Sequence, residues 1–154
     1  MSRKRTTTRK EEIRKAAIKV ISDLGFHNAT TDHIAEEAGV SVGTIYNYFN
    51  NKSDILSYIF HVEKEKIKSF FEELIKKEVS TDEKIKLFIE EYFNKIKFNQ
   101  KKAKLLHDEC KRPAQGISEE IFGYLMIIRQ YVKKLLKEGI ESGSLAKNID
   151  VDMV

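Results

Sequence analysis

One proline and seven glycines interrupt 154 residues, so almost nothing in this chain forbids a helix. Its apolar residues recur every three to four positions, and no stretch alternates apolar with polar as a half-buried strand must. The fold class this dictates is all-α. Ile13, Ala16, Ala17, Val20, Ile21 and Leu24 share one helical face, predicting a first helix over about 8–24 that Gly25 ends through its tolerance of left-handed dihedrals. Thr31 is a candidate N-cap for a short second helix with Ile34, Ala35 and Ala38 on its apolar face, and Asp32 suits that helix's positive end. Ser41 caps an equally short third helix that turns Val42, Ile45 and Phe49 inward.

From Ser53 the pattern lengthens. Ile55, Leu56, Ile59, Phe60, Ile67, Phe70, Phe71, Leu74 and Ile75 describe a fourth helix of about six turns, long enough to leave one small domain and enter another. Ser80 with Glu83 forms a capping box ahead of the stripe Ile85, Phe88, Ile89, Tyr92, Phe93 and Ile96. A shorter helix over 101–111 stops before Pro113, and a last long helix runs over 117–142, with Gly143 as its C′ residue. The expected architecture is a three-helix unit over 1–52 with a basic arm, joined by the long helix to a helical bundle over 53–154.

Charge and cysteine usage narrow the function classes. Seven basic side chains, Arg3, Lys4, Arg5, Arg9, Lys10, Arg14 and Lys15, face only Glu11 and Glu12 within the first fifteen residues. Such an arm suits nucleic acid or an anionic surface, and equally a solvated tail. No apolar run approaches the roughly 20 residues of a bilayer span, and no apolar stretch follows the N-terminal charges. The single Cys110 forms no intrachain disulfide, so a cytoplasmic location is expected.

The informative stretch is 30–52, TTDHIAEEAGVSVGTIYNYFNNK. Two short helices separated by Ala38-Gly39-Val40-Ser41 make a helix-turn-helix, with Gly39 permitting the tight turn and Ile34, Ala35, Val40 and Ile45 fixing the crossing. The third helix then projects Gly43, Thr44, Tyr46, Asn47 and Tyr48 outward as a rod of major-groove width. This stretch resembles the signature of the TetR family of bacterial transcription regulators nearly position for position: TT before the second helix, IA and AGVS around the turn, GT-Y-YF in the recognition helix and Lys52 opening the fourth.

The resemblance implies a homodimer that represses transcription from a palindromic double-stranded DNA operator and is released by a small apolar effector. By that resemblance Thr31 and Lys52 clamp phosphates, Ser41 caps the recognition helix and shares a phosphate contact, and Val42 lies within the DNA-binding set. Gly43 lets the backbone approach DNA, Thr44 and Asn47 reach base edges, and Tyr46 packs on a thymine methyl or bonds a phosphate. Tyr48 faces the flanking backbone, and Arg3, Lys4 and Arg5 of the arm meet phosphates or a minor groove. An effector pocket is implied in the helical body, with Phe88, Tyr92, Phe93, Leu106, Cys110, Phe122, Leu125 and Met126 as candidate lining. The same residues also read simply as core. Segments 45–56 and 123–150 are similar to the fatty-acid-degradation repressors of the family, which respond to long-chain acyl-CoA. Lys111, Arg112 or Arg129 would then meet the CoA phosphates. Family members usually continue for two further helices that supply most of the dimer interface, so the body is expected to be C-terminally incomplete.

Other classes fit less well. A module that uses the basic arm on a protein partner or membrane surface, without sequence-specific DNA binding, is the alternative. An enzyme is not expected, because no nucleophile motif, phosphate loop or dinucleotide fingerprint is present and the neighbouring pairs Glu90-Glu91 and Glu119-Glu120 point different ways. No cofactor or metal is expected: His27, His33, His61 and His107 form no ligand pair at helical spacing, and Cys110 beside His107 and Asp108 reads as a small buried hydrophobe. Tyr46 has its own alternative as a half-buried core residue beside Val42 and Phe49.

Overall fold

The computed structural model describes the backbone of residues 2–114 and 118–151, with the side chains of 2–7 and Ser118 outside the described set. Within it the order is α1 (Ser2–Leu24), α2 (Thr31–Ala38), α3 (Val42–Tyr46), α4 (Lys52–Lys76), α5 (Thr81–Phe98), α6 (Gln100–Lys111) and α7 (Ser118–Glu141). The described residues are all-α, as the periodicity requires. α1 begins six residues before the expected start, because nothing in SRKRTTT breaks a helix. Ile117 of the expected last helix lies outside the described residues.

One unit comprises α1 to α3, α4 as far as His61, and α6; the other comprises α4 from Val62, α5, and α7 from Phe122. In the first, α1 packs on α2 and on α6, and α2 packs on α3. Its core is built from the predicted faces: Ile13, Ala17, Ile34, Ala35, Ile45, Ile55, Leu56, Ile59 and Phe60 are all buried. Each full-sized aliphatic side chain contributes on the order of 1.5–3 kcal/mol by leaving water. The alanines on α1 and α2 keep the two backbones close, and Lys19 Nζ reaches both Glu37 carboxylate oxygens at 2.6 Å across that contact.

The second unit centres on Phe71, Leu74 and Leu135, with Ile67, Phe70, Ile85, Leu87, Phe88, Tyr131 and Val132 around them. The Phe71 and Tyr131 rings stack at 4.6 Å, and Phe88 leans on Phe71 at 5.1 Å. Ser80 accepts the Glu83 amide at the start of α5, and Gly143, at φ 77°, closes α7 in the left-handed conformation expected of it.

Candidate nucleic-acid interface

The reading edge depends on how two short helices begin. Thr30, with φ −118° and ψ 164°, caps α2: its Oγ1 accepts the His33 N–H at 3.1 Å. This corrects the expected cap by one residue. Only a residue still in extended backbone can turn its side chain back on the third amide of the helix, and Thr31 is already helical. The Thr31 hydroxyl is left outside the cap and lies 3.4 Å from the Tyr46 hydroxyl. Gly39, at φ 64°, ends α2 in the left-handed region, where a side chain would be strained.

Ser41 caps α3 as expected, accepting the Thr44 N–H at 3.1 Å, and its hydroxyl also sits 2.9 Å from that of Thr44. With Ile45 buried as the pivot, Gly43, Tyr46 and Asn47 stand exposed while Val42, Thr44 and Tyr48 are half-buried. Tyr46 is 54% exposed, which removes the core alternative. α3 spans only five residues, so Asn47 and Tyr48 follow it in a turn. A Cβ added at Gly43 would meet nothing closer than the Ser41 hydroxyl at 3.8 Å. No internal packing therefore demands glycine there, and the bare backbone is presented to the outside.

Behind this edge, Asn51 caps α4 by accepting the Asp54 N–H at 2.9 Å, and Asp54 in turn accepts from the Asn50 backbone and side-chain amides. This cap is readable as Asn51-x-x-Asp54 just ahead of the apolar stripe that begins at Ile55. Lys10 of α1 lies over the Phe49 and Tyr58 rings at 5.4 and 5.3 Å, fastening α1 behind the recognition element. Arg3, Lys4 and Arg5 fall on the first turns of α1, and their side chains lie outside the described residues.

Lys52, which the resemblance puts on a phosphate, has its ammonium among backbone carbonyls in this structure. Its ammonium donates to the carbonyls of Phe26, His27 (3.3 Å) and Ala29 (2.6 Å), and lies 4.3 Å from the Phe26 ring centroid. Removal from water lowers its pKa from the usual lysine value. Its three acceptors are all backbone carbonyls of the connection between α1 and α2.

The candidate effector lining is divided. Phe88 is half-buried against Phe71, and Tyr92 and Phe93 continue the aromatic ladder along α5 to exposures of 54% and 64%. On α7, Phe122 and Leu125 are exposed and Met126 is half-buried. Leu106 and Cys110 belong to the first unit and are half-buried on α6, where burial pushes the Cys110 thiol pKa up. Tyr92, Phe93, Phe122 and Leu125 are thus surface side chains, because an apolar stripe wider than one helix contact leaves its outer edge in solvent. Lys111 and Arg112 are exposed at the end of α6, and Arg129 is exposed on α7. Among the described residues no group of three His, Cys, Asp or Glu is placed to hold a metal ion, and no helix is long and apolar enough to cross a membrane.

Residues 13–59 match the family model of bacterial regulatory proteins of the tetR family, and residues 63–154 match that of the C-terminal region of YsiA-like proteins. The chain belongs to the tetR family. It is therefore a helix-turn-helix transcriptional regulator and not an enzyme. This tetR-family regulator is 35% identical to the fatty acid metabolism regulator protein of Bacillus subtilis, over 88% of its own length and 70% of that relative. Its fold matches the fatty acid degradation regulator FadR from Bacillus halodurans with a TM-score of 0.85 at 28% identity, covering 94% of this chain and 75% of that one. It also matches FadR from Bacillus subtilis, solved in complex with stearoyl-CoA, with a TM-score of 0.81 at 31% identity over 93% of this chain and 77% of that one.

Proposed function

We propose that this regulator is a repressor that binds a palindromic operator as a homodimer in the bacterial cytoplasm and is released by a long-chain acyl-CoA. The observation that carries the DNA reading is the single outward edge formed by Gly43, Tyr46 and Asn47 of the recognition element, with Thr31 of α2 beside Tyr46. Thr31 and Tyr46 together offer two hydroxyls to one phosphate. Thr44 and Asn47 reach base edges, and Ser41 holds the Thr44 hydroxyl and amide in place. Residues 1–52 form the reading head, and 53–154 the sensing and dimerising body.

The acyl-CoA assignment draws support from the likeness to a regulator solved with stearoyl-CoA. Tyr92 and Phe93 on α5, with Phe122 and Leu125 on α7, offer apolar surface to an acyl chain. Arg129, one turn along α7 from Leu125, supplies a guanidinium suited to CoA phosphates. An effector acts only through its preference for one of two conformations, so it must bind the released form more tightly than the DNA-bound form. The test adds stearoyl-CoA to the complex of the protein with a duplex it has enriched from a random pool. Release, with a raised melting temperature of the free protein, is expected. A complex unmoved by stearoyl-CoA, with no thermal shift, removes the acyl-CoA assignment, and failure to enrich any duplex removes the operator reading.

A further inference from the structure

Lysines from two other helices hold the end of α1 and the loop that joins it to α2. On one side α6 reaches the last turn of α1: Lys104 Nζ donates to the Ser22 carbonyl at 2.7 Å, and Lys101 Nζ meets the Asp23 carboxylate at 2.5 Å. On the other side Lys52, the first residue of α4, places its ammonium on the carbonyls of Phe26, His27 and Ala29. Of the eight residues from Ser22 to Ala29, three form the last turn of α1 and five lie outside regular helix, so their carbonyls have few partners of their own. An ammonium with three donors satisfies several at once. Ala29, which is buried, directly precedes Thr30, the cap that sets where α2 begins.

From this geometry we infer that Lys52 is a positioning residue for DNA recognition. It sets the pose of α2 by gripping the α1–α2 loop, while Lys104 from α6 holds the last turn of α1 that leads into it, instead of contacting a phosphate. A phosphate would have to strip a carbonyl from an ammonium whose donors are already taken. Holding the loop fixes Thr30, hence Thr31 and its neighbour Tyr46, so the grip acts on the reading edge from behind. The inference rests on the DNA-reading assignment above, and its test separates the two.

Binding of a duplex enriched by the full chain is titrated at several salt concentrations for the wild type, Lys52→Met, Lys52→Arg and Lys104→Met, with the melting temperature of each recorded. A wild type that enriches no duplex refutes the DNA reading itself. Given wild-type binding, Lys52→Met is expected to weaken it about tenfold, the effect of losing charge-assisted hydrogen bonds, with the slope of log affinity against log salt unchanged. Arginine is not expected to restore affinity, because a planar guanidinium does not fit a pocket of three converging carbonyls. Lys104→Met should weaken binding in the same salt-independent way although it lies on α6. The inference is overturned if Lys52→Met lowers the salt slope by about 0.9, the signature of one lost phosphate contact, or if Lys52→Arg restores full affinity. It is equally overturned if Lys104→Met leaves affinity untouched while melting like the wild type.

Discussion

Glu109 is a carboxyl whose surroundings push it away from the behaviour of its type. It is buried near the end of α6, where its Oε2 accepts the Ala114 N–H at 3.0 Å. Burial raises its pKa above the usual glutamate value, against the pull of that amide and of nearby His27. A carboxyl whose folded pKa is raised favours the fold most when protonated, so its contribution is complete below the unfolded pKa and is lost as pH climbs through the folded one. Glu109→Gln keeps an oxygen for the Ala114 amide and cannot ionise. Its melting temperature relative to wild type is expected to rise between pH 4 and pH 8, and a constant difference across that range would show that folding leaves the carboxyl's pKa unchanged. Gly139 supplies a second test at this scale. Alanine is ordinarily the better helix former by about 1 kcal/mol, but a Cβ here would lie 2.5 and 2.7 Å from Leu145 Cδ1 and Cγ and 3.2 Å from Thr81 Cγ2. Overpacking of this kind typically costs about 1–3 kcal/mol. Denaturant unfolding of Gly139→Ala should therefore show a net loss of stability, and a gain would mean that Leu145 swings clear.

At the scale of elements, neighbouring threonines have separate duties. Thr30→Ala removes the α2 cap and is expected to cost about 1 kcal/mol of stability, whereas Thr31→Ala should leave stability within about 0.5 kcal/mol and weaken DNA binding. Thermal melts and binding curves of both variants check this, and a stability loss at Thr31 equal to that at Thr30 would contradict it. The pair also marks where sequence ran short. Apolar spacing located the helices other than α6, because burial of one face is what stabilises a helix in a protein, α6 was bounded by Pro113 alone, and Gly39, Ser41 and Gly143 were legible as punctuation. Which of two adjacent threonines caps α2 depends on a backbone dihedral that composition does not reveal. The packing of α6 on α1 was hidden too: the polar contacts that accompany it, Lys101 to Asp23 and Lys104 to the Ser22 carbonyl, span 78 and 82 residues. The direction of Lys52 was hidden for a related reason: a flexible ammonium serves a phosphate and a carbonyl cluster equally well on paper.

For the molecule as a whole, the outward edge of α2 and α3 is what the two-helix scaffold exists to present. Ile34, Ala35 and Ile45 are buried so that Gly43, Tyr46 and Asn47 are not. On the proposed function, recognition by this edge is what makes binding specific, while basic side chains make it salt-dependent. The measurement that bears on it most directly is enrichment of duplexes from a random pool at about 100 mM salt, by the wild type and by Thr44→Ala combined with Tyr46→Ala. The expected result is a near-palindromic sequence recovered by the wild type and lost by the variant, while the variant's melting temperature stays close to that of the wild type. Equal enrichment by a folded variant would contradict the assignment of DNA reading to this edge.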